Sequence, residues 1–180
     1  VPMFRRLRAL GRHMGVEFGL KLTNTFPVDV AVGELPSEEM YMSGRSLFPL
    51  TLALSVRVSE EFDGKLRISY SGGADIDNIE ELYLAGISPI TMATNVLKPG
   101  GYERFTQIGK KLSGCESRGF EGISVESLKK TEASIERDPK YHKAIKPLPN
   151  RKIREKLTKF ECFNAPCHTG CPIGQDIPAY

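Results

Sequence analysis

A length of 180 residues is enough for one domain or for parts of two. An apolar fraction of 40% excludes a disordered chain, and a formal net charge of +3 gives no reason to expect a nucleic-acid partner. No apolar run approaches the roughly 20 residues that a membrane-spanning helix needs.

The N-terminal ten residues carry three arginines and no long apolar core, so they do not form a secretory signal. We therefore expect a cytoplasmic protein with reduced thiols. Position 1 is not Met, and the chain stops at Tyr180, shortly after a cysteine motif. We expect a segment of a longer chain, cut at both ends.

The first predicted elements are a helix over residues 3–14, where apolar side chains recur at helical spacing, and a short buried strand over residues 18–22. Residues 26–42 contain two prolines, which predicts a long irregular excursion. Such an excursion is either a ligand-binding loop or a plain surface insertion, and both interpretations stay open.

A helix is predicted over residues 47–61. Pro49 lies in its first turn, where a missing N–H does no harm. The residues at the spacing of one buried helix face are Leu50, Leu54 and Val58.

Two further strand–helix pairs follow. Residues 66–70 and 87–93 are predicted as strands, and the helices after them cover residues 76–85 and 102–112. Asp75 is the expected N-cap of the first of these helices. Strands that alternate with helices pair in parallel through right-handed crossovers.

This alternation predicts an α/β fold. Only three strands precede residue 112, whereas a closed (β/α)8 barrel needs about 250 residues. We therefore predict that residues 1–112 form the C-terminal portion of an incomplete TIM barrel. Its first strand is expected to present an unpaired edge, which the missing N-terminal half of the barrel would cover.

Small residues follow two of the predicted strands, as Gly72-Gly73 and as Thr94-Asn95. Glycine has no Cβ, so its N–H can approach an anion closely. We expect the helix that follows to point its positive end at the same spot. The loops after the last two strands of a (β/α)8 barrel bind phosphate in this way. A single Gly-Gly pair marks a plain turn more often, but a second loop of the same layout favours a phosphate site.

Beyond residue 112 the composition changes. A charged helix is predicted over residues 124–137, and residues 137–159 are rich in Lys and Arg. We interpret residues 113–158 as a helical basic linker, either solvated or in contact with an acidic partner domain. Residues 159–180 begin a further, truncated domain.

Three cysteines crowd into ten residues of that last segment, with the spacing C-x4-C-x3-C-P: Cys162, Cys167 and Cys171. Short cysteine runs hold iron–sulfur clusters, and a proline after the last cysteine is a frequent companion. Structural zinc usually brings a C-x2-C half-site, so we favour iron–sulfur over zinc and over free thiols. Three ligands do not complete a four-ligand cluster, so further ligands are expected elsewhere. Cys115 is interpreted as an incidental thiol.

The loop residues resemble the closing strands of the flavin barrel of dihydroorotate and dihydropyrimidine dehydrogenases. The segments that carry this resemblance are Thr23-Asn24-Thr25, Ser43-Gly44, Ser71-Gly72-Gly73-Ala74 and Thr94-Asn95. The resemblance implies FMN as a cofactor. By position, the residues implied to hold its phosphate are Gly72, Gly73, Thr94 and Asn95, with backbone donors of Ser43 and Gly44. The residues implied to face a flat substrate over the flavin are Asn24 and Thr25, since an amide and a hydroxyl can bind the donor and acceptor edges of a heterocycle.

The cysteine segment from Cys162 to Pro172, with residues 175–178 after it, resembles the start of the α-helical iron–sulfur domain of dihydropyrimidine dehydrogenase and of the glutamate synthase small subunit. A flavin-type barrel followed by that domain resembles the putative selenate reductase iron–sulfur subunit family, as do residues 41–51. The resemblance implies a 4Fe–4S cluster, and NAD(P)H and FAD in a domain beyond Tyr180.

Two departures limit what the resemblance assigns. Lys159 stands where the related dehydrogenases have a further cysteine, so the ligand set can differ. The Cys or Ser that acts as catalytic acid in those enzymes lies on an earlier barrel loop and has no counterpart here. No residue is therefore assigned a catalytic role.

Two classes of function follow. In the first, the chain is part of an oxidoreductase that transfers electrons between an NAD(P)H-linked domain, iron–sulfur clusters and a substrate site on the FMN barrel, with further redox subunits as partners. In the second, it is a non-catalytic barrel scaffold whose cysteines form a metal-bound docking module. A sugar-phosphate barrel enzyme fused to a metal domain is a third reading, which predicts phosphate binding without flavin.

Overall fold

The computed structural model describes residues 1–30, 38–115 and 119–142. The helices and strands of this part are α1 (Pro2–His13), β1 (Leu20–Leu22), β2 (Phe26–Asp29), β3 (Glu39–Met42), α2 (Phe48–Glu61), β4 (Ile68–Tyr70), α3 (Ile79–Leu84), α4 (Glu103–Leu112) and α5 (Val125–Ile135). Two short 3-10 turns accompany them, Gly44–Leu47 and Pro139–Tyr141. None of these helices combines the length and the apolar character that crossing a membrane requires.

The central sheet is parallel, as the alternation predicts. β1 pairs with β4 in the register Leu20↔Ile68 to Leu22↔Tyr70, and Tyr70 pairs in turn with Ile90. Within the described ranges, β1 has β4 as its one neighbour. The unpaired edge that the missing half of a barrel would cover stays a prediction.

The strand predicted over residues 87–93 is wrong in extent, because only a single bridge forms at Ile90. The carbonyl of Pro89 accepts from Tyr70 N (2.9 Å), and Thr91 N donates to Tyr70 O (2.7 Å). Pro89 has no N–H to donate to β4, so the ladder with β4 does not extend back toward residue 87.

The described parts of residues 26–42 are regular rather than an irregular excursion. β2 and β3 form an antiparallel hairpin in which Phe26 faces Met42 and Pro27 faces Tyr41. A proline interrupts a central strand, but each strand of a two-stranded hairpin has an outer edge that a proline tolerates. The prediction treated Pro27 as a breaker and therefore missed the hairpin. Residues 31–37 lie outside the described part of the chain.

The buried face of α2 also differs from the prediction. Leu50 and Leu54 are 51% and 41% exposed, whereas Val58 is partly buried and packs against the core as predicted. The buried side chains of the helix are Phe48, Thr51, Leu52, Ser55, Val56 and Ser59. The helix carries two apolar series at the same spacing, one starting at Phe48 and one at Leu50, and its small hydroxyl residues let the first series approach the sheet closely.

The core joins α2, β4, α3 and α5. The ring of Phe48 stacks on that of Tyr141 with centroids 5.1 Å apart and meets Tyr70 at 5.8 Å. α5 adds Leu128 and Ile135, which are both buried. The stretch interpreted as a basic linker thus includes a helix that packs in the same core as the sheet. The boundaries at residues 112 and 158 stay predictions.

Candidate functional site

The C-terminal ends of the parallel strands lie side by side. Thr23 follows β1 and its N–H donates to the carbonyl of Ser71, which follows β4, over 2.7 Å. Thr91 follows the bridge at Ile90 and bonds back to β4. The polypeptide segments that leave these strands therefore begin at one edge of the sheet, where ligand sites of open and closed parallel sheets lie.

A single hollow at this edge collects the residues that the sequence singled out. Those of them that line it are Asn24, Thr25, Ser43, Gly44, Gly72, Gly73, Thr94 and Asn95. The cavity volume is about 70 Å³, several times the roughly 10–15 Å³ that one water molecule needs. This space suits a small polar group, such as a phosphate, with the rest of a ligand reaching out of the mouth.

The glycine pair forms the floor of the hollow in a conformation that other residues avoid. Gly72 and Gly73 have φ angles of 108° and 81°. A Cβ on Gly72 would lie 2.5 Å from the hydroxyl of Thr51 and 2.7 Å from that of Thr23. A Cβ on Gly73 would collide with the carbonyl of Gly44 and approach the backbone N of Phe48 to 2.9 Å. Glycine is thus required at both positions by close packing as well as by backbone conformation.

Both predicted phosphate loops have backbone amides that the described part of the protein does not use. Across the described ranges, the amides of Gly72, Gly73, Thr94 and Asn95 donate to no protein oxygen. Buried or half-buried amides normally find an acceptor in protein or water. Donors left available on two neighbouring loops are what an anionic ligand needs.

The helix predicted behind Gly72-Gly73 begins later than expected, at Ile79 rather than at residue 76. That its positive end points at the hollow stays a prediction. Asn78 Oδ1 accepts from Asp75 N (2.8 Å), Asp75 Oδ1 accepts from Asp77 N (2.8 Å), and Asp75 O accepts from Ile79 N (3.0 Å). Asn78, not Asp75, occupies the N-cap position.

Another helix start contacts the glycine loop instead. Ser43 is the extended residue before the 3-10 turn that leads into α2, and the carbonyl of Gly44 packs against Gly73. A Cβ on Gly44 would lie 3.0 Å from the methyl group of Thr94. Gly44 therefore stands between the two loops and fixes their separation.

One charged pair at the hollow was not anticipated. Arg45 donates from Nε and Nη2 to Asp75 Oδ2, over 3.2 and 3.1 Å, and from Nη2 to Asp77 Oδ2 over 3.0 Å. The side chain of Asp75 is 4% exposed, whereas that of Arg45 is 41% exposed. Both residues line the hollow. The one available signal was that Arg45 directly follows Gly44, because its partner lies 30 positions further along the chain.

Two buried tyrosines form hydrogen bonds with residues that hold the glycine loop. Tyr70 OH donates to the carbonyl of Phe48 (3.2 Å), and Asn78 Nδ2 bonds both Gly73 O (3.1 Å) and Tyr141 OH (3.4 Å). Burial raises the pKa of Tyr70 well above its usual value, and proximity to Tyr141 raises it further. Burial also raises the pKa of Tyr141. Both phenols therefore stay neutral, as hydrogen-bonding supports of the glycine loop.

The other predicted sites have a simpler outcome. Asn24 and Thr25 are exposed side chains at the base of the hairpin, where they border the hollow. Cys162, Cys167 and Cys171 lie outside the described residues. No group of three metal-ligating side chains occurs in the ranges that the structure does describe.

A parallel sheet with helices between its strands and a donor-lined hollow at its C-terminal edge defines the described part of the chain as an α/β protein. Residues 1–143 match the family described as "Oxidoreductase YgfK, N-terminal TIM-barrel domain", and the chain belongs to that family.

Two curated relatives agree with this assignment. The chain is 45% identical over all 180 residues to proteins named "Putative oxidoreductase YgfK" in Escherichia coli (strain K12) and in Escherichia coli O157:H7. It spans 17% of the length of each of these relatives. No solved structure matches the chain. The family supports the barrel and the broad class of oxidoreductase, and the narrower resemblance to a selenate reductase subunit stays a prediction.

Proposed function

We propose that this chain is the part of an iron–sulfur flavoprotein oxidoreductase that holds the phosphate of FMN at the C-terminal edge of its barrel strands. The observation that carries the proposal is the set of four backbone N–H groups, on Gly72, Gly73, Thr94 and Asn95, that have no protein acceptor in the described residues and border one hollow.

The residues present fit the phosphate end of FMN. Gly72 and Gly73 have positive φ angles and pack closely against the protein, and the backbone amides of such a glycine turn can bind an anion. Ser43 and Gly44 start the turn that leads into α2, where unpaired N–H groups favour negative charge. Arg45 adds a positive charge to a wall that otherwise holds the carboxylate of Asp75.

The chemistry of the reaction belongs to the cofactor. FMN, when bound, supplies hydride and single-electron transfer. The chain's own residues bind and orient. Asn24 and Thr25 border the hollow at the hairpin base, where an amide and a hydroxyl can bind the edge of a flat heterocyclic substrate. No described residue is assigned as an acid or base.

The remaining parts of the proposal rest on the cysteine spacing and the resemblance. Cys162, Cys167 and Cys171 would ligate a 4Fe–4S cluster together with ligands from elsewhere. The cluster would relay electrons to or from an FAD- and NAD(P)H-binding domain of the full-length cytoplasmic protein. The reaction would be of the dihydropyrimidine dehydrogenase or selenate reductase type, with the N-terminal half of the barrel supplied by the same protein.

The test is to purify the full-length protein without oxygen, record its visible absorption, and measure extracted FMN, FAD, iron and zinc. We expect extractable FMN and more than one iron per chain. A colourless protein with neither flavin nor iron would defeat the proposal. Stoichiometric zinc without flavin would instead favour the scaffold with a metal-bound docking module.

A further inference from the structure

Arg45 and Asp75 are the two charged side chains among the described residues that line the hollow. They are paired with each other, yet their environments differ. The carboxylate of Asp75 is almost fully buried, and the guanidinium of Arg45 is 41% exposed at the hollow. The positive member of the pair is thus the one that a ligand can contact.

The guanidinium is held in place and is not fully used. Nε and Nη2 bond to the carboxylates of Asp75 and Asp77. Nη1 donates to no acceptor in the described ranges. A planar guanidinium fixed on two of its nitrogens directs the third along a defined line, which reduces the entropy lost when that nitrogen binds a further anion.

The negative charge of Asp75 makes the position of Arg45 important for phosphate binding. A phosphate that enters the hollow approaches a buried carboxylate, and like charges at short range repel strongly where water is excluded. Arg45 neutralises Asp75 and can also donate a charge-assisted hydrogen bond to the phosphate itself. The backbone amides of the two loops carry no net charge and cannot replace it in this role.

We propose that Arg45 binds the phosphate group directly and makes the site select phosphorylated flavin over riboflavin. This inference rests on the proposed function, since it names the residue that gives the FMN site its specificity. The competing interpretation is that Arg45 is a structural ion pair that only shapes the loop from Gly73 to Asp77.

The experiment titrates the full-length protein, freed of flavin, with FMN and with riboflavin, and follows the quenching of flavin fluorescence. Any other flavin site contributes equally to every variant. Arg45→Gln should weaken FMN binding about 10- to 100-fold, the value of a hydrogen bond to a charged group, and leave riboflavin binding within about 2-fold. Arg45→Lys should lose less, because it keeps the charge without the bidentate geometry.

Two further variants separate the interpretations. Arg57→Gln removes an exposed arginine of α2 that does not line the hollow, and should change neither affinity. Arg45→Gln combined with Asp75→Asn removes the unpaired buried carboxylate as well. If Arg45 contacts the phosphate, this double variant recovers only the part of the affinity that repulsion by Asp75 had cost and still binds FMN more weakly than the unmodified protein. Circular dichroism should show the same fold as the unmodified protein.

The inference is overturned if FMN and riboflavin lose affinity equally in Arg45→Gln, or if the double variant regains the full FMN affinity of the unmodified protein. Either result would make Arg45 a structural residue and leave the FMN site intact. If the unmodified protein binds neither flavin, the proposed function fails and the inference fails with it. The affinity of the unmodified protein for FMN therefore tests the function, and the ratio between the two flavins tests Arg45.

Discussion

The glycine loop, residues 71–75, and the second loop, residues 91–95, border the same hollow but are held in different ways. The glycine loop has two positive φ angles, and its backbone packs against Gly44 and Phe48. The second loop has no residue with a positive φ angle and meets Gly44 through the methyl group of Thr94. It then closes in a turn in which Val96 N bonds Ala93 O (3.0 Å).

The two loops should therefore tolerate different substitutions. The conformation of the glycine loop leaves no room for a Cβ, so an added methyl group should damage the fold. The second loop is shaped by ordinary backbone angles, so removing a side chain should leave the fold intact and affect the ligand. The two loops offer similar amide donors but should separate in experiments that measure stability and binding independently.

The largest expected effect is that of Gly73→Ala. The new methyl group would collide with the carbonyl of Gly44 and press on the backbone of Phe48, neither of which can rotate away. Backbone strain of about 1–3 kcal/mol and overpacking of about 1–3 kcal/mol should lower the free energy of unfolding in urea. The matched control is Gly109→Ala in α4, where nothing lies within 4 Å and a small gain is expected. Equal stabilities of the two variants would contradict the role of close packing.

Gly72→Ala should cost less, because its new methyl group meets the side-chain hydroxyls of Thr51 and Thr23 rather than backbone atoms. These hydroxyls bond each other over 2.7 Å, and the methyl group would separate them. We expect a loss of about 1–3 kcal/mol from the strained backbone and the broken bond. Thr51→Ala in the same chain should recover part of it, as measured by a double-mutant cycle in urea. Strict additivity of the two changes would show that the hydroxyls are not the obstacle.

In the second loop, Thr94→Ala should act on the ligand. Removing one hydroxyl and one methyl group from a half-buried position should change the free energy of unfolding by less than about 1 kcal/mol. A lost hydrogen bond of about 0.5–1.5 kcal/mol should weaken FMN binding roughly 2- to 12-fold. Urea unfolding and flavin titration of the same preparation compare the two quantities. A loss of stability as large as that of Gly73→Ala would erase the distinction between the loops.

The glycine loop and the strand–helix alternation could be predicted because their causes are local. A strand followed by Gly72-Gly73 and a helix is recognisable within about 20 residues. The buried face of α2 could not be predicted, because the series from Phe48 and the series from Leu50 have the same spacing, and the sheet and α5 decide between them. The pair of Arg45 and Asp75 was missed for a related reason, since two charges 30 positions apart carry no local sign of contact.

The same reasoning explains why the start of α3 could be predicted only in part. Asp75 accepts from the amide of Asp77, two residues on, as an N-cap side chain does, but α3 itself begins only at Ile79 and the other carboxylate oxygen of Asp75 binds Arg45. Several hydrogen-bond donors and acceptors lie within this short loop. Only the folded structure determines which of them pair. Asn78, which caps α3 by position and ties Gly73 to Tyr141, has no distinguishing sequence signal.

At neutral pH, Tyr70→Phe in β4 should have an effect on stability of the same size as the effect of Thr94→Ala on binding. It removes the hydrogen bond to Phe48 O, worth about 0.5–1.5 kcal/mol. The pH dependence of the stability is more informative than the stability at neutral pH. Burial raises the pKa of Tyr70 in the folded protein, so the unfolded chain ionises first once the pH exceeds about 10. Stability is therefore complete below that pH and is lost as the pH rises toward the folded-state pKa.

The variant has no phenol to ionise at this position, so its stability should decline less steeply between pH 9 and pH 11 than that of the unmodified protein. Tyr141→Phe should flatten the decline as well, because burial raises the pKa of Tyr141 in the same direction. Urea unfolding at fixed pH steps measures both slopes. If the stability of Tyr70→Phe and of the unmodified protein declined equally with pH, Tyr70 would not be buried beside the loops. The close packing assigned to the glycine loop would then be contradicted.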